Sequence, residues 1–352
     1  MPRIGSIQLL GSTRAMFDAA VELKDVRDLI EHSAVKVLQC SSAVPADAWV
    51  WLNDVFFARR PDVELRVFGH HSTECDLGFA RGMTNVRRFA ADSLLRARNV
   101  EAIAGMPHLE SLSLGIYELE DFGVLDRIPI TMTRLALGST RSKKPSLASL
   151  ERFRSLRILY LEGHSRSIEV LSELQELEDL TLRSITTRDL KYLASLRNLW
   201  SLDIKLGGIR SFAGIEGTES IKYLELWQVR ELHHIDVVAA LPGLQNLFLQ
   251  SLPHVQMLPP LSESRALRRT VIQNLRGLRD FSGLERAPAL EEFALVQGDR
   301  QTPEQLLPVL KNPTVRRVNA HFGSDRKNRE FLRLRAEHGK EAGRSLEPFR
   351  YL

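Results

Sequence analysis

Cysteine is scarce in this chain, which has only Cys40 and Cys75 among its 352 residues. Two cysteines cannot build the dense disulfide framework of a small secreted domain, so we expect two buried thiols in a reducing compartment. Long apolar runs are missing too, since none approaches the ~20 residues that span a bilayer. Residues 1–5 do not begin the apolar segment of a secretory signal. These absences favour a cytoplasmic protein without membrane contact, although export without a cleaved signal would leave no trace in the sequence.

The sequence has no large excess of one charge, because 48 basic residues stand against 44 acidic ones and the formal net charge is +4. Nucleic-acid-binding domains usually concentrate basic residues on one face, whereas here the positive charge is dispersed. We therefore do not expect a nucleic-acid partner. A polyanion stays open as an alternative, because arginines recur on or beside the predicted strands: Arg87, Arg88, Arg134, Arg157, Arg268, Arg269, Arg316 and Arg317.

Motifs that carry catalysis are also absent: the sequence has no phosphate-binding loop, nucleophile elbow or zinc-protease helix. The two densest sets of potential metal ligands are His70, His71, Glu74 and Cys75, and His233, His234 and Asp236. Adjacent histidines on a strand point to opposite sides and rarely ligate one ion. We expect no enzymatic activity, no metal and no cofactor. An enzyme with a site near His70 and Cys75 is the alternative.

What the sequence does contain is an apolar pattern, apolar-x-x-apolar-x-apolar, that returns every 21 to 25 residues. Seven such triplets follow one another, beginning at Leu109, Met132, Leu156, Leu177, Leu199, Ile221 and Leu244. Degraded matches extend the register to eleven, beginning at Val86, Leu267 (with Thr270 in its middle place), Leu290 and Val315. A period of this length is typical of a repeat protein, in which each repeat packs only on its neighbours. The functional question thereby shifts from which residues react to which surface binds.

Each short repeat has room for one strand and little else. Apolar anchors at i, i+3 spacing follow the strands, as in Leu147, Leu150 and Phe153, and this spacing suits a 3₁₀ turn rather than a full α-helix. Strands of successive repeats are expected to stack in parallel about 4.8 Å apart.

The two ends of the chain use other units. Alternating apolar pairs predict strands at Ile7 and Leu9, at Val35 and Val37, and at Leu65 and Val67, with helical spacing over residues 17–30 and 46–59. At the other end, Ser324 to His338 is predicted to form a helix with Ser324 as N-cap and with Phe331 and Leu334 facing the last repeat. The predicted organisation is therefore strand–helix units capping the solenoid (1–70), repeats (71–322), and a C-terminal helical cap and tail (323–352).

With these triplets, residues 60–322 resemble the leucine-rich repeat family, and the short unit is most similar to the bacterial internalin-like type. The resemblance implies an α/β solenoid shaped like a horseshoe, with a parallel β-sheet on the concave face and 3₁₀ or short helical segments on the convex side. That family usually places Asn or Cys three residues after the last apolar strand residue, where it bonds the turn backbone. This chain has neither residue there; the positions hold Leu94, Tyr117, Thr140, His164, Ile185, Gly207, Val229, Leu252, Leu275 and Gly298.

Because side chains alternate along a strand, the residues between the apolar positions should point out of the concave sheet. Aromatic residues make up only 7% of the chain, yet several fall on or beside this face with charged residues between them. Aromatic anchors surrounded by polar groups are typical of protein interfaces. The predicted partner-binding residues are Tyr160, Asp179, Arg183, Trp200, Asp203, Lys205, Tyr223, Glu225, Trp227 and Phe248.

These patterns favour a non-enzymatic module, expected to be monomeric, that binds another protein on its concave face. Inhibitor, immunity protein and adaptor are all compatible with a repeat chain that has no catalytic motif. A secreted effector that captures a host protein, or a polyanion binder, is the alternative. The sequence does not name the partner.

Overall fold

The computed structural model describes residues 2–70, 73–142, 145–343 and 348–352. Contacts within the chain divide it into two compact units, Met1–Leu177 (unit 1) and Glu178–Leu352 (unit 2). In each unit one strand recurs per repeat and pairs in parallel with the strand of the next repeat. The apolar triplets predict this arrangement.

Unit 1 forms a sheet whose strands follow chain order, except that β6 and β8 pair separately. Its strands are β1 (Arg3–Ile4), β2 (Ile7–Leu10), β3 (Arg14–Met16), β4 (Val37–Cys40), β5 (Glu64–Phe68), β6 (Cys75–Asp76), β7 (Arg88–Leu94), β8 (Ala97–Arg98), β9 (Ser111–Ile116), β10 (Arg134–Leu137) and β11 (Ile158–Glu162). Its helices are α1 (Leu23–Ile30) and α2 (Ala46–Trp51), the latter continued by a π-helical turn (Leu52–Phe57). Its 3₁₀ turns are Gly78–Gly82, Val100–Gly105, Gly123–Asp126, Ala148–Arg152 and Ile168–Glu173.

Unit 2 forms a parallel sheet of β12 (Asp179–Arg183), β13 (Ser201–Lys205), β14 (Tyr223–Trp227), β15 (Asn246–Gln250), β16 (Arg269–Gln273), β17 (Glu292–Val296) and β18 (Arg317–Ala320). Its 3₁₀ turns are Lys191–Leu193, Asp236–Val238, Ser282–Leu284 and Pro303–Leu306. Its helices are α3 (Leu307–Lys311) and α4 (Asp325–Glu337). None of the described helices is both long and apolar enough to cross a membrane.

The core is built from the triplets, which pair in register from strand to strand. In unit 2, Leu180 pairs with Leu202, Leu202 with Leu224, and Leu224 with Leu247. All four side chains are at most 1% exposed. Each repeat therefore buries its leucines against the leucines of its neighbours, which is how a thin repeat obtains a core.

The strands end in a turn that recurs with one backbone signature. The second residue after the last apolar strand residue has a positive φ of 50° to 57° at Ser184, Leu206, Gln228, Ser251, Asn274 and Gln297. The N–H of Gln228 donates to the carbonyl of Gln250 in the next repeat at 3.0 Å, and Leu206 donates to Trp227 in the same way at 2.8 Å. The next residue is where the resemblance leads one to expect Asn or Cys. It is instead a buried apolar side chain at Ile185, Val229, Leu252 and Leu275, and a glycine at Gly207 and Gly298.

Two helix and strand predictions near the N-terminus are wrong. Residues 17–22 are not helical, because the chain leaves β3 at Met16 and α1 begins only at Leu23. Val35 and Val37 do not share a strand, since β4 begins at Val37 and its inward residues are Leu38 and Cys40. Leu38 is set inward by its pairing with Leu65 of β5, and that contact outweighs the local valine pattern.

The sequence also did not predict that β1, β2 and β3 pair antiparallel, whereas the later strands of this sheet pair in parallel. The two turns between them contain Gly5 and Gly11, whose φ angles of 54° and 66° lie in the left-handed region that favours glycine. A side chain at Gly5 would also collide with the Asp25 carboxylate. In the sequence, only these two glycines indicated tight turns between neighbouring strands.

The predicted C-terminal helix is present as α4, with Phe331 1% and Leu334 8% exposed. Ser324 is the N-cap residue but its side chain makes no capping bond. Buried amides complete this end of unit 2: Asn312 donates to the carbonyls of Leu284 and Ala287 at 2.8 and 3.0 Å. Gln301 bonds Leu275 and Leu278 in the same way. Backbone acceptors of the last turns are thus satisfied by side chains.

Candidate functional site

The outward face of unit 2 is formed by the residues that alternate with the buried leucines in β12 to β16. Nine of the ten candidate residues belong to this unit, and each is half-buried: Asp179, Arg183, Trp200, Asp203, Lys205, Tyr223, Glu225, Trp227 and Phe248. The strand period places eight of them on one face, and Trp200 comes directly before β13. The tenth, Tyr160, lies in unit 1.

Lys205 lies between two carboxylates on this face. Its Nζ is 2.9 Å from Oδ2 of Asp203 and 3.2 Å from Oε2 of Glu225, and the three side chains are only 19%, 16% and 13% exposed. The hydroxyl of Tyr223 donates to the same Glu225 oxygen at 3.0 Å. We call these four side chains, Asp203, Lys205, Tyr223 and Glu225, the Lys205 cluster.

The electrostatics of the Lys205 cluster follow from its burial. Burial alone would lower the pKa of Lys205, but the hydrogen bond from Lys205 to Asp203 and the two negative charges outweigh it, so the pKa is raised. Burial raises the pKa of Glu225, and the charge of Asp203 adds to the shift. Burial likewise raises the pKa of the Tyr223 hydroxyl. Oδ1 of Asp203 is buried without a hydrogen-bond partner among the described residues, which leaves an acceptor of the cluster unused.

Two aromatic side chains flank the Lys205 cluster. The guanidinium carbon of Arg183 is 5.8 Å from the centre of the Trp227 ring, within the range of a cation–π contact. Phe248 pairs in register with Glu225 on one side and with Val271 on the other. Sheet pairing therefore brings charged and aromatic groups of neighbouring strands side by side.

Trp200, which is predicted to lie at the edge of this face, is partly covered by another segment of unit 2. Its ring packs against Tyr351, with the ring centres 5.1 Å apart and the planes at 63°. Tyr351 belongs to residues 348–352, which we call the 348–352 segment and which lies on this face. Sequence reasoning missed the contact because no local pattern links positions so far apart in the chain.

Tyr160 lies in β11 of unit 1, and its hydroxyl donates to Glu162 at 3.0 Å. The two residues are outward neighbours on one strand, as the alternation predicts. Their pairing repeats that of Tyr223 with Glu225 in unit 2. A tyrosine followed two residues later by a glutamate is thus a recurring outward motif of these repeats.

The potential metal ligands do not gather. Among the described residues, no group of three or more His, Cys, Asp or Glu side chains is placed to hold a metal ion. His70 and Cys75 line a cavity of about 510 Å³ in unit 1, while His71 lies outside the described residues. Burial raises the pKa of the Cys75 thiol to about 11, which disfavours the nucleophilic thiolate. His233 stacks on His254 at 4.9 Å.

No family model matches the sequence, and no curated protein matches it either. Solved structures do resemble the chain. An internalin, InlF of Listeria monocytogenes, matches with a TM-score of 0.58 and 15% identity, covering 89% of this chain and 87% of the internalin. A leucine-rich repeat protein of Leptospira interrogans matches with a TM-score of 0.52 and 13% identity over 92% of this chain and 93% of its own.

A third match is TLR13 in a complex with a single-stranded RNA, with a TM-score of 0.54 and 15% identity over 88% of this chain and 50% of that one. At such low identity these likenesses show the fold alone. They agree with the parallel strands, the 3₁₀ turns and the buried triplets. The chain has the internalin-like leucine-rich repeat fold.

Proposed function

We propose that the chain is a protein-binding module whose partner docks on the outward face of β12 to β15 in unit 2. The observation that carries the proposal is the Lys205 cluster, a half-buried set of charges flanked by aromatic rings on a sheet face. Interfaces of average size bury about 800 Å² on each partner and concentrate their affinity in a few aromatic and arginine residues.

The two kinds of side chain have different roles in the proposed interface. Tyr223, Trp227 and Phe248 supply apolar area that a partner covers, and they contribute most of the affinity. Asp203, Lys205 and Glu225 select the partner, because a poorly matched partner would leave buried charges without compensation. Asp179, Arg183 and Trp200 complete the set of proposed contacts on this face. Tyr160, in β11 of unit 1, is proposed as a partner-binding residue of that unit.

We propose that this binding is not accompanied by catalysis, and that the protein acts as a monomeric cytoplasmic inhibitor, immunity protein or adaptor. A secreted effector that captures a host protein would use the same face. In this proposal, the repeats (71–322) bind the partner, and residues 1–70 and 323–352 cap the ends of the repeats.

Polyanion binding is the second candidate, and the RNA complex of TLR13 gives it a precedent in this fold. Several arginines beside the strands are already paired with acids, which argues for a protein partner. Arg87 lies 2.8 Å from Glu110, Arg268 3.0 Å from Glu291, and Arg269 2.7 Å from Glu292. Arginines neutralised in this way have less charge to offer phosphates.

The test is affinity capture from a lysate of the organism that encodes the chain, followed by titration of the purified partner. Wild type is compared with Tyr223→Ala/Trp227→Ala. The matched control is Val50→Ala/Leu332→Ala, which removes two apolar side chains that are 55% and 48% exposed elsewhere. We expect the first variant to weaken binding at least about tenfold, because each hot-spot residue contributes ~1–2 kcal/mol, and the control to bind as wild type does.

Equal binding by the folded Tyr223→Ala/Trp227→Ala variant would place the interface elsewhere and refute the proposed face. Retention of nucleic acid instead of protein, with an affinity that falls steeply with salt, would favour the polyanion reading. Circular dichroism of each variant verifies that the fold is kept.

A further inference from the structure

The 348–352 segment lies on the outward face of unit 2 in an extended form. Exposure alternates along it: Phe349 and Tyr351 are half-buried, whereas Pro348, Arg350 and Leu352 are exposed. A period of two is that of an extended peptide with one side on a surface. The segment therefore presents two aromatic side chains, separated by one residue, to the sheet.

Both aromatic side chains meet specific partners. Tyr351 packs on Trp200, and its hydroxyl accepts a hydrogen bond from Nδ2 of Asn246 at 3.3 Å. The Phe349 ring lies 5.4 Å from the guanidinium carbon of Arg268 and 5.1 Å from that of Arg269. These are distances at which cations and rings attract each other.

The backbone of the segment is held at the alternate residues. The N–H of Leu352 donates to Oε1 of Gln245 at 2.9 Å, and Nε2 of Gln245 donates back to the Leu352 carbonyl at 3.1 Å. Lys222 donates to the same carbonyl at 2.5 Å, and Arg268 donates to the carbonyl of Arg350 at 3.0 Å. Gln245 thus pairs with one residue as a neighbouring strand would, although it uses a side-chain amide.

We infer that this face is a groove for an extended peptide of the pattern aromatic-x-aromatic, and that the 348–352 segment occupies the groove as an intramolecular stand-in for a partner. The inference rests on the proposed function and specifies the chemistry of the partner. Backbone contacts at Arg350 and Leu352 do not depend on those side chains, so another peptide can make them. The two aromatic positions supply the selectivity.

The surface next to Leu352 has room for further residues of a bound peptide. A cavity of about 710 Å³ adjoins Leu352 and is lined by Arg265 and Arg316, and also by Arg268, which is paired with Glu291. Carboxylates placed there would lie beside the guanidinium groups of Arg265 and Arg316. The partner peptide is therefore aromatic-x-aromatic-x followed by acidic residues.

The test is a fluorescence-anisotropy titration with the labelled, amidated peptide Pro-Phe-Arg-Tyr-Leu-Glu-Glu. The full chain is used as wild type and as Phe349→Ala/Tyr351→Ala, in which the intramolecular occupant is weakened. We expect the variant to bind the peptide at least about tenfold more tightly than wild type, because a tethered competitor acts at a high effective concentration. A peptide with alanine at both aromatic positions should not bind.

Two further comparisons locate the site. Adding Gln245→Ala to the variant should weaken binding about fivefold through the lost backbone bonds. Gln250→Ala, at the other end of β15 from Gln245, should not weaken it. Replacing the two glutamates of the peptide by lysines should weaken binding about threefold, as for an exposed ion pair. If the double variant does not fold, Phe349→Ala alone serves in its place.

A folded variant that fails to bind the peptide at about millimolar concentration would overturn the inference, as would equal binding of the alanine peptide. A wild-type dimer that becomes monomeric in the double variant, measured by light scattering, would also overturn it, because the segment would then join two copies. The titration needs no lysate and leaves Tyr223 and Trp227 intact. The proposed function can therefore stand when this inference fails.

Discussion

At the scale of the residue, two threonines in unit 2 carry hydroxyl groups in opposite situations. Thr270 occupies a leucine position of its triplet, is fully buried, and its Oγ1 has no hydrogen-bond partner among the described residues. The hydroxyl of Thr314 lies 2.8 Å from Oδ1 of Asn312 and 3.1 Å from the carbonyl of Ala287. A buried hydroxyl lowers stability when unpaired and raises it when bonded.

We expect Thr270→Val to raise the free energy of unfolding by about 1 kcal/mol, because it removes an unpaired polar group and keeps the shape. Thr314→Val should lower it by about 1 kcal/mol. Urea unfolding of the two variants measures both changes. Loss of stability in Thr270→Val would mean that its hydroxyl has a partner, such as bound water.

The Lys205 cluster gives a residue-scale prediction that depends on pH. Lys205→Met leaves the carboxylates of Asp203 and Glu225 facing each other with little exposure. The expected loss at about pH 7 is roughly 2 kcal/mol, below the value for a fully buried pair. Burial already raises the folded-state pKa of Glu225, which means that the folded protein favours the protonated carboxyl. Ionised Glu225 therefore lowers the stability of the folded state.

The loss in Lys205→Met should therefore shrink as the pH falls through the folded-state pKa of Glu225 towards its unfolded value, since a protonated Glu225 repels nothing. Urea unfolding of wild type and variant at about pH 7 and about pH 5 measures the difference. An equal loss at both values would show that repulsion between the carboxylates is not its cause.

At the scale of the element, the strand-ending turn explains how this chain lacks the Asn that its resemblance leads one to expect. The backbone N–H of the left-handed residue is bonded by the next repeat, as from Gln228 to Gln250. In four of the six turns the following position is filled by a buried apolar side chain, among them Val229, which is 2% exposed. The turn is therefore stabilised by packing of this apolar side chain. The backbone N–H that an Asn side chain would bond is already bonded to the next repeat.

Asparagine at two adjacent turn positions should have opposite effects. Val229→Asn buries an amide of similar volume and is expected to lower the free energy of unfolding by about 2 kcal/mol. Gln228→Asn places a residue that tolerates positive φ at an exposed left-handed position, and should be neutral or stabilising by a few tenths of a kcal/mol. Thermal unfolding compares them, and a stable Val229→Asn would mean that the amide finds partners in the turn.

The strands and short turns of the repeats could be predicted from the sequence, because each triplet sets its own inward face and its neighbour confirms it. The antiparallel pairing of β1, β2 and β3 could not, since it depends on turns at Gly5 and Gly11 rather than on a repeated pattern. The strand at Ile7 and Leu9 and the helix α1 were predicted. The inward residues of β4 differ by one position from the predicted ones, because Leu38 pairs with Leu65 of the neighbouring strand.

At the scale of the whole molecule, one part of the candidate site could be predicted from the sequence and another part could not. Strand alternation predicts which side chains of unit 2 share a face, and the Lys205 cluster lies there. The contact of Tyr351 with Trp200 joins residues 151 positions apart, and only the alternation of Phe349 and Tyr351 hints at it. Repeat patterns report contacts between neighbours, so they are silent about a segment that returns to the sheet.

Coupling between neighbouring repeats predicts how damage spreads. Leu226→Ala removes a fully buried side chain of β14 and should lower stability by about 2–5 kcal/mol. Because each repeat depends on the next, hydrogen exchange should accelerate in β13, β14 and β15 together, and less in β17 and β18. Leu332→Ala on α4, where the side chain is 48% exposed, is the control. Acceleration limited to β14 would contradict nearest-neighbour coupling.

The turn bonds donated by the left-handed residues of unit 2 point in one direction along the chain. Ser184 donates forward to Lys205, Leu206 to Trp227, and Ser251 to Gln273, always from an earlier repeat to a later one. A ribosome makes the earlier repeat first. The backbone N–H of each left-handed residue therefore lacks its acceptor until about 22 more residues have been made. Each of these turns can therefore be completed only after the following repeat has been made.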